Sequence, residues 1–210
     1  MAENKIKTGT TCIGFKFKDG ILIAADRRVT SYKINAENFV KIFNLTSNVV
    51  TTVSGGVADA QRFIRSIQSD LKLLSLKNER SIYVKEAAMI LTDYQYSTIR
   101  SQGGIVGMIL AGYDPKEKFS LYELSPDGSI IDSLDFVTSG SGSIFVDGIL
   151  NIEHNNNISE KEAILLAEKC FKVAFKNDNA SGGGFIIKII SKEGIKEVAR
   201  KKVKSELINE

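Results

Sequence analysis

Thr10-Thr11-Cys12-Ile13-Gly14-Phe15-Lys16-Phe17-Lys18-Asp19-Gly20-Ile21-Leu22-Ile23-Ala24-Ala25-Asp26 is the stretch on which the fold turns. Ile13, Phe15 and Phe17 alternate with small or charged neighbours, which places them on one face of a strand. Asp19-Gly20 is a hairpin turn signal. Ile21 to Ala25 is a short, wholly apolar run, the pattern of a buried strand. The chain therefore begins with an antiparallel pair.

Working outward, Val40 to Leu45 and Val49 to Val53 read as a second strand pair around Thr46-Ser47-Asn48, and Gly55-Gly56 breaks the pattern. Ala58 to Leu76 has apolar Phe63, Ile67, Leu71 and Leu74 at helical spacing, and Val84 to Ile99 repeats the period with Ala87, Ala88, Leu91 and Tyr94. Strands return at Ile105 to Tyr113, Phe119 to Leu124 and Ser129 to Val137, the last two joined by the turn Pro126-Asp127-Gly128. Phe145 to Asn151 reads as a short helix. Ser159 with Glu162 three residues on is a capping box, and that helix runs to about Phe175. Gly182-Gly183-Gly184 follows, and Phe185 to Ile190 with Ile195 to Ala199 form a closing hairpin around Lys192-Glu193-Gly194. Strands, two helices, strands, two helices, strands is not the alternation of a parallel doubly wound sheet. It implies an α+β fold of antiparallel sheets covered by helix pairs.

The 210 residues suit one domain, with no linker long enough to divide them. A net charge of +3 is too small to imply nucleic acid. Residues Met1 to Gly9 are polar and charged, unlike a signal peptide, and no apolar run approaches a membrane span. Cys12 falls in a strand pattern and Cys170 in a helical one, so both read as core residues suited to a reducing compartment. Arg200-Lys201-Lys202-Val203-Lys204 reads as a solvated basic tail.

His154 is the sole histidine. It sits among asparagines and reads as an exposed loop residue, so a multi-histidine metal site is excluded and a Ser-His-Asp triad would depend on it alone. The cysteines show no metal spacing, and Gly140-Ser141-Gly142-Ser143 is not a dinucleotide fingerprint. If the chain is an enzyme, an amine-assisted nucleophile is the natural option. Gly9-Thr10-Thr11 stands just before the first strand. Cutting after Gly9 would give Thr10 a hydroxyl and a free α-amine on one residue, and such an amine, with a pKa of ~7.7–8.0, can serve as the base. Lys41, flanked by Val40 and Ile42, would be partly desolvated and in need of a carboxylate. Beside Thr10 it would disfavour a second positive charge on the amine. Asp26 ends a buried strand, and Asp178 and Ser181 follow a helix.

From Thr10 to about Ala199 the chain resembles a proteasome β subunit of the archaeal type, in the N-terminal-nucleophile hydrolase family. The resemblance lies in Gly9-Thr10-Thr11, Asp19-Gly20, Ala25-Asp26-Arg27-Arg28, Lys41-Ile42, Ser54 to Gln61, Ala111-Gly112-Tyr113-Asp114, Leu121-Tyr122, Gly140 to Ser143 and Asp178 to Gly183. It implies a four-layer αββα sandwich of two antiparallel sheets flanked by helix pairs. Residues 1–9 are then a prosegment removed by self-cleavage between Gly9 and Thr10, and residues 10–210 a single domain with a basic tail from about 200.

By the same resemblance Thr10 is the nucleophile, Lys41 tunes it, Asp26 is the carboxylate partner of Lys41, the N–H of Gly55 is the oxyanion donor, and Ser141, Asp178 and Ser181 support the Thr10 amine. Val29, Phe39, Val53 and Val57 fall at specificity-pocket positions, with Thr30 and Gly55 completing the substrate-binding set. The pocket is apolar, which implies apolar P1 residues. The family implies β rings between α rings, an ATPase regulator acting through the α ring, unfolded polypeptides as substrates, a cytoplasmic location and no cofactor or metal. Two other readings stay open: a non-catalytic ring subunit that keeps its prosegment, and a related two-ring amine-nucleophile peptidase. The segment after Thr30 is one residue shorter than the family pattern, which makes Lys33 a competitor for Lys41. Ile42-Phe43 continues the expected strand and favours Lys41. Gly183 stands where many archaeal relatives carry aspartate.

Overall fold

The computed structural model describes residues 9–30, 34–55, 57–102 and 106–203, and only the main chain of residues 34, 35, 57–60, 98–102 and 106. The elements in chain order are β1 (Cys12–Phe17), β2 (Gly20–Asp26), β3 (Val29–Thr30), β4 (Ile34–Ala36), β5 (Ile42–Asn44), β6 (Val49–Gly55), α1 (Val57–Asn78), α2 (Val84–Gln102), β7 (Val106–Asp114), β8 (Lys118–Leu124), β9 (Ile130–Asp132), β10 (Phe136–Ser139), α3 (Ser143–Glu153), α4 (Glu160–Asn177), β11 (Phe185–Ser191) and β12 (Gly194–Lys201). Among the described residues, one five-stranded sheet has the order β10-β1-β2-β11-β12, a second has β5-β6-β7-β8-β9, and β3–β4 is a small pair. Both large sheets are antiparallel throughout.

The opening hairpin forms the middle of the first sheet, with Cys12 opposite Ala25 and Phe17 opposite Gly20. β2 is buried along its whole length. Its Leu22 and Ala24 face α3 and α4, while Ile21, Ile23 and Ala25 face the second sheet. A strand covered on both faces needs apolar residues at every position, so the run is continuous rather than alternating. Gly14 brings the two sheets close: a Cβ there would stand 2.9 Å from Ile109 and 3.1 Å from Leu121.

Three apolar clusters separate four layers. Phe63, Ile67, Leu71 and Leu91 of α1 and α2 pack on Val49, Met108 and Leu110 of the second sheet. Cys12, Ile23, Val50, Ile109, Ala111 and Ile186 fill the space between the sheets. Val146, Leu150, Ala167 and Phe171 of α3 and α4 pack on Ile13, Phe15 and Ile187. The order helix, sheet, sheet, helix is that of an α+β sandwich, and each fully buried Phe or Ile in it contributes roughly 1.5–3 kcal/mol. Ser159 and Glu162 form the expected capping box at the start of α4.

Three readings need correction. Ser129 to Val137 is not one strand. Its first part, β9, pairs with β8 in the second sheet, and its last part, β10, pairs with β1 in the first, so residues 133–135 carry the chain between layers. His154 is not an exposed loop residue. It caps the end of α3, is half-buried, bonds Lys16 O through Nε2 at 2.8 Å, and stands edge-on to Phe15 and Phe136. Arg200 and Lys201 belong to β12, opposite Ile186 and Phe185, rather than to a tail, and Lys204 lies outside the described residues. The β3–β4 pair had no signal in the sequence pattern. Ile105, the expected start of a strand, and Lys33 lie outside the described residues.

Candidate active site

Thr10 precedes β1 and is 2% exposed. The loop between β10 and α3 grips its main chain: Thr10 N–H donates to Ser141 Oγ at 3.2 Å, and Gly142 N–H donates to Thr10 O at 3.1 Å. Gly140 has φ 95°, and a Cβ there would stand 2.2 Å from Thr10 O. Both the left-handed backbone and the close approach require glycine.

The Thr10 hydroxyl donates to Gly9 O at 2.6 Å. Lys41 Nζ lies 3.0 Å from Thr10 Oγ1, 3.1 Å from Gly9 O and 2.6 Å from Asp26 Oδ1. Three acceptors match the three N–H donors of an ammonium group. Lys41 sits just before β5, held there because Val53 N–H of β6 donates to Lys41 O at 3.0 Å. Asp26 ends β2 with every lone pair in use. Oδ1 accepts from Lys41 and from Thr11 N–H at 3.0 Å, and Oδ2 accepts from Arg28 N–H at 3.1 Å and Gly182 N–H at 3.0 Å.

The Lys41–Asp26 pair is shut away from solvent, with side chains 4% and 0% exposed. Burial pushes the Asp26 carboxyl above the ordinary carboxylate range, while the Lys41 ammonium and the Thr11 and Gly182 N–H groups pull it the other way. A buried pair of this kind is stable only when both partners and their remaining hydrogen bonds are present. Cys12, two residues from Thr10, does not compete as a nucleophile: burial raises its thiol to about 12.

A second carboxylate stands behind the Thr10 nitrogen. Asp178 caps the end of α4. Its Oδ2 accepts from Ser141 Oγ and Ser181 Oγ, each at 2.7 Å, and its Oδ1 accepts from Ala180 N–H at 3.0 Å. Thr11 Oγ1 lies 2.8 Å from Ser181 Oγ. Thr10, Asp26, Lys41, Ser141, Asp178 and Ser181 thus form one continuous network, drawn from the start of β1, the end of β2, the lead-in to β5 and two loops. Such a group holds a hydroxyl between a cation and an acyl carbonyl, with a carboxylate-backed serine on the adjacent nitrogen. That is equipment for nucleophilic attack on an acyl carbon.

The remaining sequence candidates stand nearby in the chain but outside this network. Gly55 closes β6 at φ 136°, two residues past Val53. Val29 of β3 and Phe39 are half-buried, and Phe39 N–H donates to Arg27 O at 3.0 Å. Thr30 Oγ1 donates to Ala180 O at 3.0 Å. Val53 is buried in the core against α1 and α2. Val57 opens α1, and its side chain lies outside the described residues. A groove of about 480 Å³ between α1 and the β5–β6 turn, lined in part by Leu45, Leu71, Lys72 and Leu76, contains none of these residues.

Sequence reading overlooked Thr11, Gly140, Gly142 and Ala180, all of which touch the Thr10 segment. Only the glycines carried a signal, and it pointed to a loop. Ala180 has a direct consequence. A Cβ on Gly9 would stand 2.0 Å from Ala180 Cβ and 2.4 Å from Ala180 O. Gly9→Ala is therefore expected to push the Gly9 carbonyl away from the Thr10 hydroxyl. Given the cleavage after Gly9 that the resemblance implies, intact mass of the purified variant should show residues 1–9 retained in most molecules. Ala180→Gly should not rescue it, because the Ala180 main chain obstructs as well. Unchanged removal of residues 1–9 in Gly9→Ala would contradict this contact.

Among the described residues no group of three or more His, Cys, Asp or Glu could hold a metal ion, and no helix is long and apolar enough to cross a membrane. The model of the proteasome subunit family matches residues 6–190. The chain is 33% identical over 202 residues to a proteasome subunit beta of Methanobrevibacter smithii, covering 96% of each. It is 33% identical over 190 residues to that of Nanoarchaeum equitans, covering 90% of this chain and 96% of the relative. For that of Methanosphaerula palustris the figures are 31% over 204 residues, with 97% and 96% covered. With a match of that extent laid over a helix–sheet–sheet–helix sandwich, the chain belongs to the proteasome subunit family.

Proposed function

We propose that this chain is a catalytic β subunit of a proteasome core particle, a threonine endopeptidase acting on unfolded polypeptides within a closed chamber in the cytoplasm. The observation that carries the reading is the buried line of hydrogen bonds from Gly9 O through Thr10 Oγ1 and Lys41 Nζ to Asp26 Oδ1. In the uncut chain, Thr10 Oγ1 would add to the Gly9 carbonyl carbon, with Lys41 donating to the carbonyl oxygen. The acyl group passes from nitrogen to oxygen as the hydroxyl proton goes to the departing Thr10 nitrogen, which frees the amine, and water hydrolyses the ester to release residues 1–9.

In the cut chain the Thr10 amine takes the hydroxyl proton as Oγ1 adds to the substrate carbonyl. Gly55 N–H faces the developing oxyanion. The protonated amine gives its proton to the departing amine of the substrate, and the same amine then activates the water that cleaves the ester. Lys41, fixed by Asp26, disfavours a second positive charge on the Thr10 nitrogen, and Ser141, backed by Asp178 and Ser181, orients it. The apolar Val29, Phe39, Val53 and Val57, with Thr30 and Gly55, would take apolar P1 side chains in preference to charged ones.

The test is the intact mass of the chain purified from an active particle. A chain beginning at Thr10 supports the reading. An active particle whose chains all retain residues 1–9 refutes it, and would favour a ring subunit without catalysis of its own.

The same reading has a consequence for assembly. The site's groups must be held to within about half an ångström, and those on loops achieve this only when the loops are braced. Gly55, Ser141 and Asp178 lie at a strand end, in a loop and at a helix end. The isolated chain is expected to process slowly and hydrolyse peptides poorly, and a coexpressed α subunit to restore both. Peptidase rate per chain, read beside size-exclusion chromatography, decides it: full activity in a monomeric fraction would overturn the dependence on rings.

A further inference from the structure

Thr11 has no part in the scheme above, yet it is fully buried and touches both of its carboxylate arms. Its N–H donates to Asp26 Oδ1 at 3.0 Å, the same oxygen that accepts from Lys41, and Asp26 N–H donates back to Thr11 O at 3.0 Å. Its hydroxyl reaches the other way, to Ser181 Oγ at 2.8 Å. Ser181 has one hydroxyl hydrogen, and at 2.7 Å it goes to Asp178 Oδ2, a carboxylate oxygen. Ser181 Oγ must then accept from Thr11, which sets the direction of the whole chain. It runs from Thr11 O–H to Ser181 O–H to Asp178 Oδ2, and Asp178 Oδ2 is reached from the other side by Ser141 O–H, whose oxygen accepts Thr10 N–H.

The loop that carries Ser141 is shaped around the same hydroxyl. A Cβ on Gly142 would stand 1.9 Å from Thr11 Oγ1 and 3.3 Å from Asp178 Oδ2.

We propose that the Thr11 hydroxyl is a positioning group for the Thr10 amine. It acts through Ser181 and Asp178, and it links the arm that orients the amine to the arm that holds Lys41. This rests on the reading of Thr10 as nucleophile. The charged groups facing the Thr10 nitrogen are Asp178, through Ser141, and the Lys41–Asp26 pair across the hydroxyl. Removing the Thr11 hydroxyl takes away the donor that polarises Ser181 toward Asp178. The Asp178 charge is then less compensated, and it favours the proton on the Thr10 amine.

The experiment compares Thr11→Val, which keeps the shape and loses the hydroxyl, with Thr11→Ser, which keeps the hydroxyl. Both are assayed as full chains coexpressed with the α subunit, with rates expressed per processed chain counted by intact mass. Thr11→Val is expected to lower kcat about ten-fold with KM within about two-fold of wild type, the size of one oriented hydrogen bond to a charged network. It should also move the acid limb of the kcat/KM profile to higher pH. Thr11→Ser should restore both. A Thr11→Val protein with wild-type kcat and pH profile overturns the proposal, as does a Thr11→Ser protein as impaired as Thr11→Val. Should Thr11→Val not assemble, Thr11→Ala is read against Thr11→Ser by the same criteria. Thr10→Ala in the same assay keeps the two questions apart: with Thr10→Ala inactive and Thr11→Val normal, the positioning role alone is refuted.

Discussion

In Thr10→Ala, peptide hydrolysis and release of residues 1–9 are both expected to fall to background. One hydroxyl is asked to perform two attacks, first on the carbon of the Gly9 carbonyl, whose oxygen it bonds at 2.6 Å, and later on substrate. An alanine keeps the Cβ but has no oxygen to form either ester. Activation of a hydroxyl by its own amine has no substitute among nearby residues. Cys12 is buried with its thiol raised to about 12, and His154 lies by Lys16 at the other end of β1. The fold should survive. Lys41 loses one acceptor but keeps Gly9 O and Asp26 Oδ1, and the Thr10 main chain keeps its bonds to Ser141 and Gly142. Intact mass, circular dichroism and a fluorogenic peptide assay on the same preparation test this. A folded, assembled Thr10→Ala protein cleaving peptide at the wild-type rate would falsify the site. Thr11→Ala should be much milder, a loss of orientation and not of the nucleophile.

Lys41→Ala should lower activity by roughly a hundred-fold or more, the scale on which groups that manage a reacting proton act. It should also reduce stability by about 3–5 kcal/mol, because Asp26 is left as a buried carboxylate whose cation is gone. Both effects follow from the same 2.6 Å contact between side chains 4% and 0% exposed. Lys33→Ala should do neither. Lys33 belongs to the segment that the shorter spacing after Thr30 had made a competitor, and the network at Thr10 contains Lys41. Kinetics of the two variants side by side, with denaturant titration of each, provide the measurement. Comparable losses at positions 33 and 41 would place the tuning lysine elsewhere.

Much of this site could be read from the chain because its parts occur together in an order that resembles a known family. A lysine between Val40 and Ile42, an aspartate ending an apolar run and a Gly-Thr-Thr ahead of a strand are each weak signals alone, but each is at least visible in its own few residues. Thr11 and Ala180 are not, since a threonine in a strand and an alanine in a turn look ordinary. Their importance comes from contacts across the fold. Thr11 meets Ser181 from 170 positions away, and Gly9 meets Ala180. The split of β9 from β10 was hidden for a related reason. Both halves carry the same apolar character, and nothing within residues 129–137 says that the chain changes sheets.

The sequence by itself determined the alternation of strand groups and helix pairs, the antiparallel pairing, the two buried hairpin strands and the capping box at Ser159, because periodicity, turn residues and caps act over a few positions. Only the tertiary structure decided which sheet each strand joins, how His154 is partnered, and that Lys41, Asp26, Ser141 and Asp178 converge on one threonine. Thr10 and Ser141 are 131 residues apart, and Gly182 and Asp26 are 156. Those two pairs meet because β1 pairs with β10 and β2 with β11 in the first sheet, whereas Lys41, at the edge of the second sheet, reaches Asp26 only when the two sheets close on their shared apolar cluster.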